Sequence, residues 1–440
     1  MKLALVGGGG FRTPLVYGAL LDRSDRIPIS ELVLHDVDEG PLETIAAVLE
    51  GLAAENGNRV PFRQTTDLDD ALEGAGVVFC AIRVGGLDGR VVDETVPFAE
   101  DVLGQETVGP GGIAFALRTV PVMVSIAKAV ARRAPDAWFV NFTNPAGLVT
   151  EALQPVLGTR ALGICDGPES LFRGVARALA RPREALWFDY FGLNHLGWLR
   201  GVYENGRDLL PGLLADDARL ASFAEGRMFG AEHVRSLGMI PMEYLWYYHH
   251  TAEAIEAVRA RGQTRAEAVR AQQQAFYAAD SRTPEEALRA WRAAVAERNA
   301  SYMAEAGKPE AGAEEDAVGY EHVALDVVEA VSAAGGRVLV LNTTNRGSLP
   351  YLDREVVVEV PCYVGPAGVF PFAVGEVPQP ARGLIQSVNE ADRATIEAAR
   401  TGSPELAGRA IALNPLVPSA EKARKILAGY LAGGQKNSRE

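Results

Sequence analysis

The chain has 440 residues, 48% apolar and 23% charged. This composition belongs to a soluble globular protein of two or three domains and excludes a disordered or fibrous chain. The formal net charge of −14 repels phosphate backbones and anionic lipid, so nucleic acid and membranes are poor partners, and an anionic small substrate needs local arginines working against the global field.

Three widely spaced cysteines, Cys80, Cys165 and Cys362, without C-x-x-C spacing argue against a disulfide scaffold or a structural zinc site. No window approaches the ~18 apolar residues of a membrane span, and Leu3–Val6 is too short for a signal-peptide core, so a cytoplasmic chain is expected. Residues 2–6, KLALV, read as a short buried strand, followed by GGGGFRTP and a helix-like stretch from Leu15. Glu31–Asp36 is a second strand ending in an acid. Gly76–Ile82, Ala137–Phe142 and Ala161–Cys165 are further apolar runs, with helical segments between them, most clearly Thr119–Arg133. Short strands alternating with helices predict βαβ units and a parallel sheet buried on both faces.

Beyond about residue 168 the rhythm changes. Phe188–Leu193 and Trp198–Glu204 read as strands flanking Asn194-His195. Residues 218–306 are mostly helical, and Thr264–Glu305 is rich in Ala, Arg and Glu. Val338–Asn342 and Val356–Tyr363 restore strand character, and the tail from Glu390 is helical, then polar. The expected fold class is α/β: an N-terminal Rossmann-type doubly wound sheet over 1–168 and a mixed α+β domain over 169–440, the arrangement of lactate and malate dehydrogenases.

A strand, a glycine cluster and a helix make the geometry of dinucleotide binding. Glycines let the backbone approach a pyrophosphate, and the helix N-terminus supplies N–H donors. Strict G-x-G-x-x-G spacing is not met, because Arg12 or Thr13 stands at the third glycine position, and a tight turn that binds nothing is the alternative. Asp36 strengthens the nucleotide reading: an acid at the end of the second strand holds the ribose hydroxyls and repels the 2′-phosphate of NADP. The candidate NAD contacts are Gly7, Gly9, Gly10, Phe11, Arg12 and Asp36.

Such sheets bind ligands beyond the C-terminal ends of their strands. That rule gathers RVGGLDGR, GQETVGPGG, TNP and CDGP onto one crevice. Arg83 and Arg90 suit a phosphate, or else pair with a nearby acid such as Asp88 or Glu94. Asn144, restrained by the following proline, points its amide into the crevice or satisfies its own backbone. Cys165 and His195 each read alone as packing residues, whereas together a thiolate, an imidazole and open positions suit a divalent metal such as Mn²⁺ or Fe²⁺. His249 and His250 are adjacent, so on a helix they point about 100° apart, and Glu243–His250 reads as a helix with an aromatic core face.

Taken in order, GGGGFRTP, RVGGLDGR, GQETVGPGG, NFTNPAG, GICDGP, FGLNHLGW, a tyrosine before the last strands and NTTNRGSLP resemble the NAD- and metal-dependent glycoside hydrolases of family four, through nearly the whole chain. The NFTNP and GLNHL wording resembles most the 6-phospho-β-glucosidase branch. The resemblance implies Cys165 and His195 as ligands of Mn²⁺ or another divalent metal, Asp166 as the acid (an aspartate as in α-specific members), and Tyr320 as the base. It implies Arg90 and Asn144 as substrate contacts, with Arg346 near a further substrate-contacting segment. It also implies a phosphorylated disaccharide or glycoside as substrate and a homodimer or homotetramer, for which 218–306 is a candidate interface. The implied mechanism departs from the usual carboxylate pair. Hydride leaves C3 of the sugar for NAD⁺, the ketone acidifies C2, and the metal stabilises the enediolate. Tyr320 removes the C2 proton, the C1–O bond eliminates with Asp166 or water as acid, water adds at C1, and the hydride returns. A 2-hydroxy-acid dehydrogenase would share the front end and size, but it needs an Arg-Asp-His relay and no metal.

Overall fold

The computed structural model describes residues 1–278, 283–300, 319–332 and 336–437. The end of the helical stretch read over Thr264–Glu305 therefore lies, from 301, outside the described residues. Six strands form the parallel part of the sheet: β1 (Lys2–Val6), β2 (Glu31–His35), β3 (Phe62–Thr65), β4 (Ala75–Cys80), β5 (Trp138–Asn141) and β6 (Ala161–Gly163). Their order is β3-β2-β1-β4-β5-β6, all pairs parallel, which is the Rossmann order.

Alternation along each strand assigns its side chains to opposite faces. Leu3, Leu5, Leu32, Leu34, Val77 and Phe79 pack with Val16, Leu20, Ile45 and Val48 of helices Thr13–Asp22 and Glu39–Asn56. Ala4, Val6, Val78 and Phe139 pack with Val120, Met123 and Leu153 of helices Gly109–Arg133 and Ala146–Leu157. Each fully buried large side chain contributes roughly 1.5–3 kcal/mol, so helices cover both faces of the sheet and leave the strand ends as the open surface.

The sheet continues through β7 (Trp187–Leu193), β8 (Leu196–Glu204), β9 (Arg207–Asp208), β10 (Ile240–Pro241), β11 (Arg337–Thr344), β12 (Val357–Gly365) and β13 (Gly368–Pro371). The order beyond β6 is β11-β12-β7-β8-β10, with β13 on β12 and β9 on β8, and every pair is antiparallel. β7 and β8 form a hairpin in which Leu193 pairs Leu196, so Asn194-His195 is its turn.

Three sequence expectations change. β3, FRQT, was not foreseen: it is a four-residue edge strand with no buried residue and hence no hydrophobic run. The long helix starts at Gly109 rather than Thr119, because GPGG is packing and not a loop. A Cβ on Gly111 would meet the Gln105 carbonyl oxygen at 2.1 Å, and one on Gly112 the Thr107 carbonyl oxygen at 2.6 Å. This helix is also, by length and composition, apolar enough to cross a membrane, contrary to the reading of the windows, and 61% of that stretch is buried inside the fold.

Candidate active site

The glycine turn sits where β1, β2 and β4 crowd together. Gly7 has φ +93°, and a Cβ there would lie 2.4 Å from the Ala81 carbonyl oxygen, so neither the conformation nor the space admits a side chain. Asp36 Oδ2 accepts a hydrogen bond from Gly9 N at 3.0 Å, which brings the acid at the end of β2 onto the turn. Burial pushes its carboxyl above the ordinary value. Two helices roof the turn, Arg265–Tyr277 and Pro284–Ala300. Tyr277 Oη donates to the Gly9 carbonyl and Trp291 Nε1 to the Phe11 carbonyl, both at 2.8 Å, while the Phe11 ring meets Phe276 edge-on at 5.5 Å.

The loops after β4, β5 and β6 meet beside this turn. Ile82 N donates to Thr143 Oγ1 at 3.0 Å. Half-buried Asn144 precedes a cis Pro145, and Ala146 N donates to Asn194 Oδ1 at 3.0 Å, so the NFTNP loop touches both the end of β4 and the His195 turn. Arg12 lies over the rings of Tyr320 and Phe142, at 5.3 and 5.8 Å. Burial raises the Asp166 carboxyl, and Arg12 is the foremost charge opposing that rise. The glycine turn and the Cys165-Asp166 corner therefore face the same space.

Cys165 and His195 are both buried, each 6% exposed, and Met242–Tyr244 links them. Met242 N donates to the Gly197 carbonyl at 2.9 Å. At Gly167 the position of a Cβ lies 3.5 Å from Met242 Sδ and 3.6 Å from Cys165 Sγ. Glu243 lowers the cost of charge on His195 and raises it on Cys165 and Asp166, so all three share one carboxylate neighbour. Burial brings His195 down to about 4, keeping the imidazole neutral. Burial, then Glu359 and Asp166, pushes the Cys165 thiol well up.

His195 also holds φ +60°, a conformation that costs a non-glycine residue roughly 1–3 kcal/mol, and its buried Nδ1 has no hydrogen-bond partner. A thiol among carboxylates and an orphaned neutral imidazole suit a divalent cation, which would offset the first and satisfy the second. Among the described residues no three His, Cys, Asp or Glu side chains are grouped as a metal would hold them. Cys165 and His195 are the two residues that would hold such an ion.

The arginines divide. Glu106 Oε2 accepts from Arg83 Nη2 at 2.6 Å and from Arg90 Nη1 at 3.0 Å, and Arg90 Nε donates to Glu94 at 2.8 Å. Burial alone would raise Glu106, but Arg90, then Arg83, Arg298 and Arg265 outweigh it and hold the carboxyl well below its usual range. Arg90 thus makes the pairing with Glu94 that stood as the alternative to a phosphate contact. Arg83 Nη1 remains a buried donor without a partner. Arg265 and Arg298, which the sequence reading did not single out, join this cationic group.

Two expected positions, Tyr320 and Arg346, have other partners in the structure. The Tyr320 ring is sandwiched between Phe142 and Phe79, at 4.0 and 6.0 Å, and its hydroxyl donates to the Arg12 carbonyl at 2.9 Å. Burial pushes that phenol far above its ordinary value. Arg346 is exposed. It donates to the Val369 carbonyl of β13 at 3.3 Å and faces Cys362, away from the charges around Cys165. A second tyrosine, Tyr244, stacks its ring on His195 with 3.8 Å between centroids, and its hydroxyl bears on Arg90.

Comparison with known proteins is consistent with this geometry. The family model described as Family 4 glycosyl hydrolase matches residues 2–181, and that of the Family 4 glycosyl hydrolase C-terminal domain matches 190–417. A probable 6-phospho-β-glucosidase of Bacillus subtilis (strain 168) is 31% identical, over 97% of this chain and 95% of its own. The structure of the 6-phospho-β-glucosidase from Thermotoga maritima with NAD and glucose-6-phosphate superposes with a TM-score of 0.82, at 27% identity and 99% coverage of both chains. A 6-phospho-α-glucosidase from gut microorganisms, in complex with NAD and Mn²⁺, also gives 0.82 at 27% identity, covering 98% of this chain and 97% of its own. Malate dehydrogenase from Plasmodium falciparum shares the fold alone, with a TM-score of 0.55 at 13% identity over 91% of this chain and 99% of its own.

Proposed function

The chain belongs to the family 4 glycosyl hydrolases, and from that premise we propose that it hydrolyses 6-phosphoglucosides, 6-phospho-β-glucosides first among them, with NAD and a divalent metal such as Mn²⁺. The observation that carries this reading is the shared neighbourhood of Cys165, His195 and Asp166 around Glu243, with Asp166 also facing Arg12 of the glycine turn. A nucleotide on that turn and a metal between Cys165 and His195 would meet one sugar ring. The relatives that bind NAD, Mn²⁺ and glucose-6-phosphate support it.

When bound, NAD supplies a reversible hydride acceptor and the metal a Lewis acid for the sugar oxygens. The chain's residues do the rest. Gly7, Gly9 and Gly10 give the backbone access to a pyrophosphate, and Asp36 selects the ribose. Cys165 and His195 hold the metal. Tyr244, on the face of His195, takes the C2 proton, and Asp166, its pKa raised by burial, delivers a proton to the departing C1 oxygen. Arg83, with an unsatisfied Nη1, and beside it Arg265 and Arg298 hold the 6-phosphate, while Arg90 stays paired with Glu94 and Glu106. Asn144 borders the sugar.

The aspartate at 166 favours a second reading, the 6-phospho-α-glucosides, and comparing p-nitrophenyl 6-phospho-β- and α-glucosides decides between the two. The mechanism is tested with substrate deuterated at C2. Turnover should wash the label into solvent and release aglycone with no net NADH; a label retained in the product would refute it.

A further inference from the structure

We propose that Glu359 is a positioning residue of the metal site: the buried counter-charge of the divalent cation, and the anchor of the turn that carries His195. The inference rests on Cys165 and His195 holding that cation. Glu359 interrupts the apolar run Val356–Val360 on β12 and is 0% exposed. A carboxylate this deep is costly unless it is paired and hydrogen-bonded. Among the described residues no lysine or arginine pairs with it. Its partners are the Tyr190 hydroxyl, donating at 2.8 Å, and the Asn194 and Asn342 amides, donating at 3.2 and 2.9 Å.

The charges around this carboxylate are those of the active site. After burial, Glu359 is the largest influence raising the Cys165 thiol, and Asp166 faces Glu359 in turn. A thiolate beside a buried carboxylate is unfavourable by itself, and a divalent cation between Cys165 and His195 offsets both. The cation that no protein side chain supplies to Glu359 is thus the one that the neighbouring pair would hold. Glu359 acts from behind that pair, as a fixed charge and not as a ligand.

Strand register brings the carboxylate to the turn. Glu359 pairs with Asn342 of β11 and with Gly192 of β7, just before Asn194. The Asn194 amide is used at both ends. Its Nδ2 donates to Glu359 Oε1, and its Oδ1 accepts from Ala146 N at 3.0 Å and Gly147 N at 3.4 Å. Those are the first N–H groups of helix Ala146–Leu157, which have no partner within the helix. Asn194 therefore ties the turn to β12 and to that helix. His195 follows at φ +60°, a conformation that persists only where its surroundings impose it, and this clamp imposes it.

The test measures Mn²⁺ binding to the full chain under reducing conditions, from the EPR signal of free Mn²⁺, together with the Tm of the metal-free chain. Wild type should bind one equivalent, and Cys165→Ser should lose it. Glu359→Gln removes the charge but keeps the hydrogen bonds, because Oε1 still accepts from both asparagines and the Tyr190 hydroxyl can turn to accept from the new amide. It should weaken Mn²⁺ binding ~10–100-fold with Tm unchanged or higher. Asn194→Ala, which keeps the charge and cuts the anchor, should weaken binding at least ~10-fold. Tyr190→Phe, which takes one hydrogen bond from the same carboxylate, should lower Tm and leave Mn²⁺ affinity within a few-fold. Wild-type affinity in Glu359→Gln or in Asn194→Ala overturns the proposal, as does a loss in Glu359→Gln that Tyr190→Phe matches or that a lower Tm accompanies. Full binding by Cys165→Ser, or none by the wild type, removes the metal reading itself and the proposal with it.

Discussion

The phenol ring of Tyr244 lies flat on the imidazole of His195, 3.8 Å between centroids and 4° between planes. Tyr320, in contrast, spends its hydroxyl on the Arg12 carbonyl. Replacing each with phenylalanine separates their roles, because the ring stays and only the oxygen goes. Tyr244→Phe should lower kcat by about 10²–10⁴ with KM changed little. Tyr320→Phe should cost about 1 kcal/mol of stability and leave kcat within a few-fold. The reverse pattern in steady-state kinetics would return the base to Tyr320.

Arg83 and Arg90 converge on Glu106, and only Arg83 retains an unpartnered Nη1. Arg83→Ala should therefore raise KM for 6-phosphoglucosides far more than for the unphosphorylated sugars, because a charge-assisted bond to phosphate is lost. Glu106→Gln should act differently, by leaving cations buried without their counter-ion. A stability loss of about 3–5 kcal/mol, read by denaturant unfolding, is expected. Equal KM changes on both sugar classes for Arg83→Ala would remove its phosphate role.

Asp36 accepts from Gly9 N at 3.0 Å, so its carboxylate is already aimed at the turn that would cradle the nucleotide. Asp36→Ala should weaken NAD binding by ~10–100-fold, the loss of a charged hydrogen bond to a ribose hydroxyl, and narrow the preference over NADP. Calorimetry with both nucleotides checks this. An unchanged ratio of affinities would mean that the ribose lies elsewhere.

Much of the N-terminal half was legible because buried parallel strands are unbroken apolar runs and their glycines answer to close backbone contacts. KLALV, ELVLH and the Gly7 turn are read directly. So is the hairpin around Asn194-His195, where Phe188–Leu193 and Trp198–Glu204 are strands. Tyr244 was not legible. Glu243–His250 has the aromatic spacing of a core helix, but the structure breaks it into a 3₁₀ turn, Glu243–Leu245, a single helical turn and a non-helical His250, with no glycine or proline inside to announce it. The roof of Tyr277 and Trp291 over Gly9 and Phe11 joins residues some 270 positions apart, a tertiary contact that no local pattern encodes. The partner of Arg346 was not legible for a similar reason. Its motif follows β11, but the side chain folds onto β13 rather than toward Cys165.

Glu151 and Asp392 line one cleft together with Pro145, Asn194 and Tyr248. Burial pushes Glu151 up to about 7, opposed by a hydrogen bond from Val357 N and by Arg393, with Asp353 adding to the rise. Burial and then Glu151 push Asp392 up to about 8. An acid whose pKa is higher folded than unfolded holds its proton longer in the folded state. Its contribution to stability is thus complete below its ordinary value near 4 and is lost as pH rises through the folded value. Asp392→Asn replaces a side chain that is neutral at low pH and charged at high pH by one that is always neutral. The variant should match the wild type in Tm near pH 4 and exceed it by about 2–4 °C near pH 8.5, with the gap opening between them. A gap that stays constant across that range would show that the two carboxyls do not titrate as this packing requires.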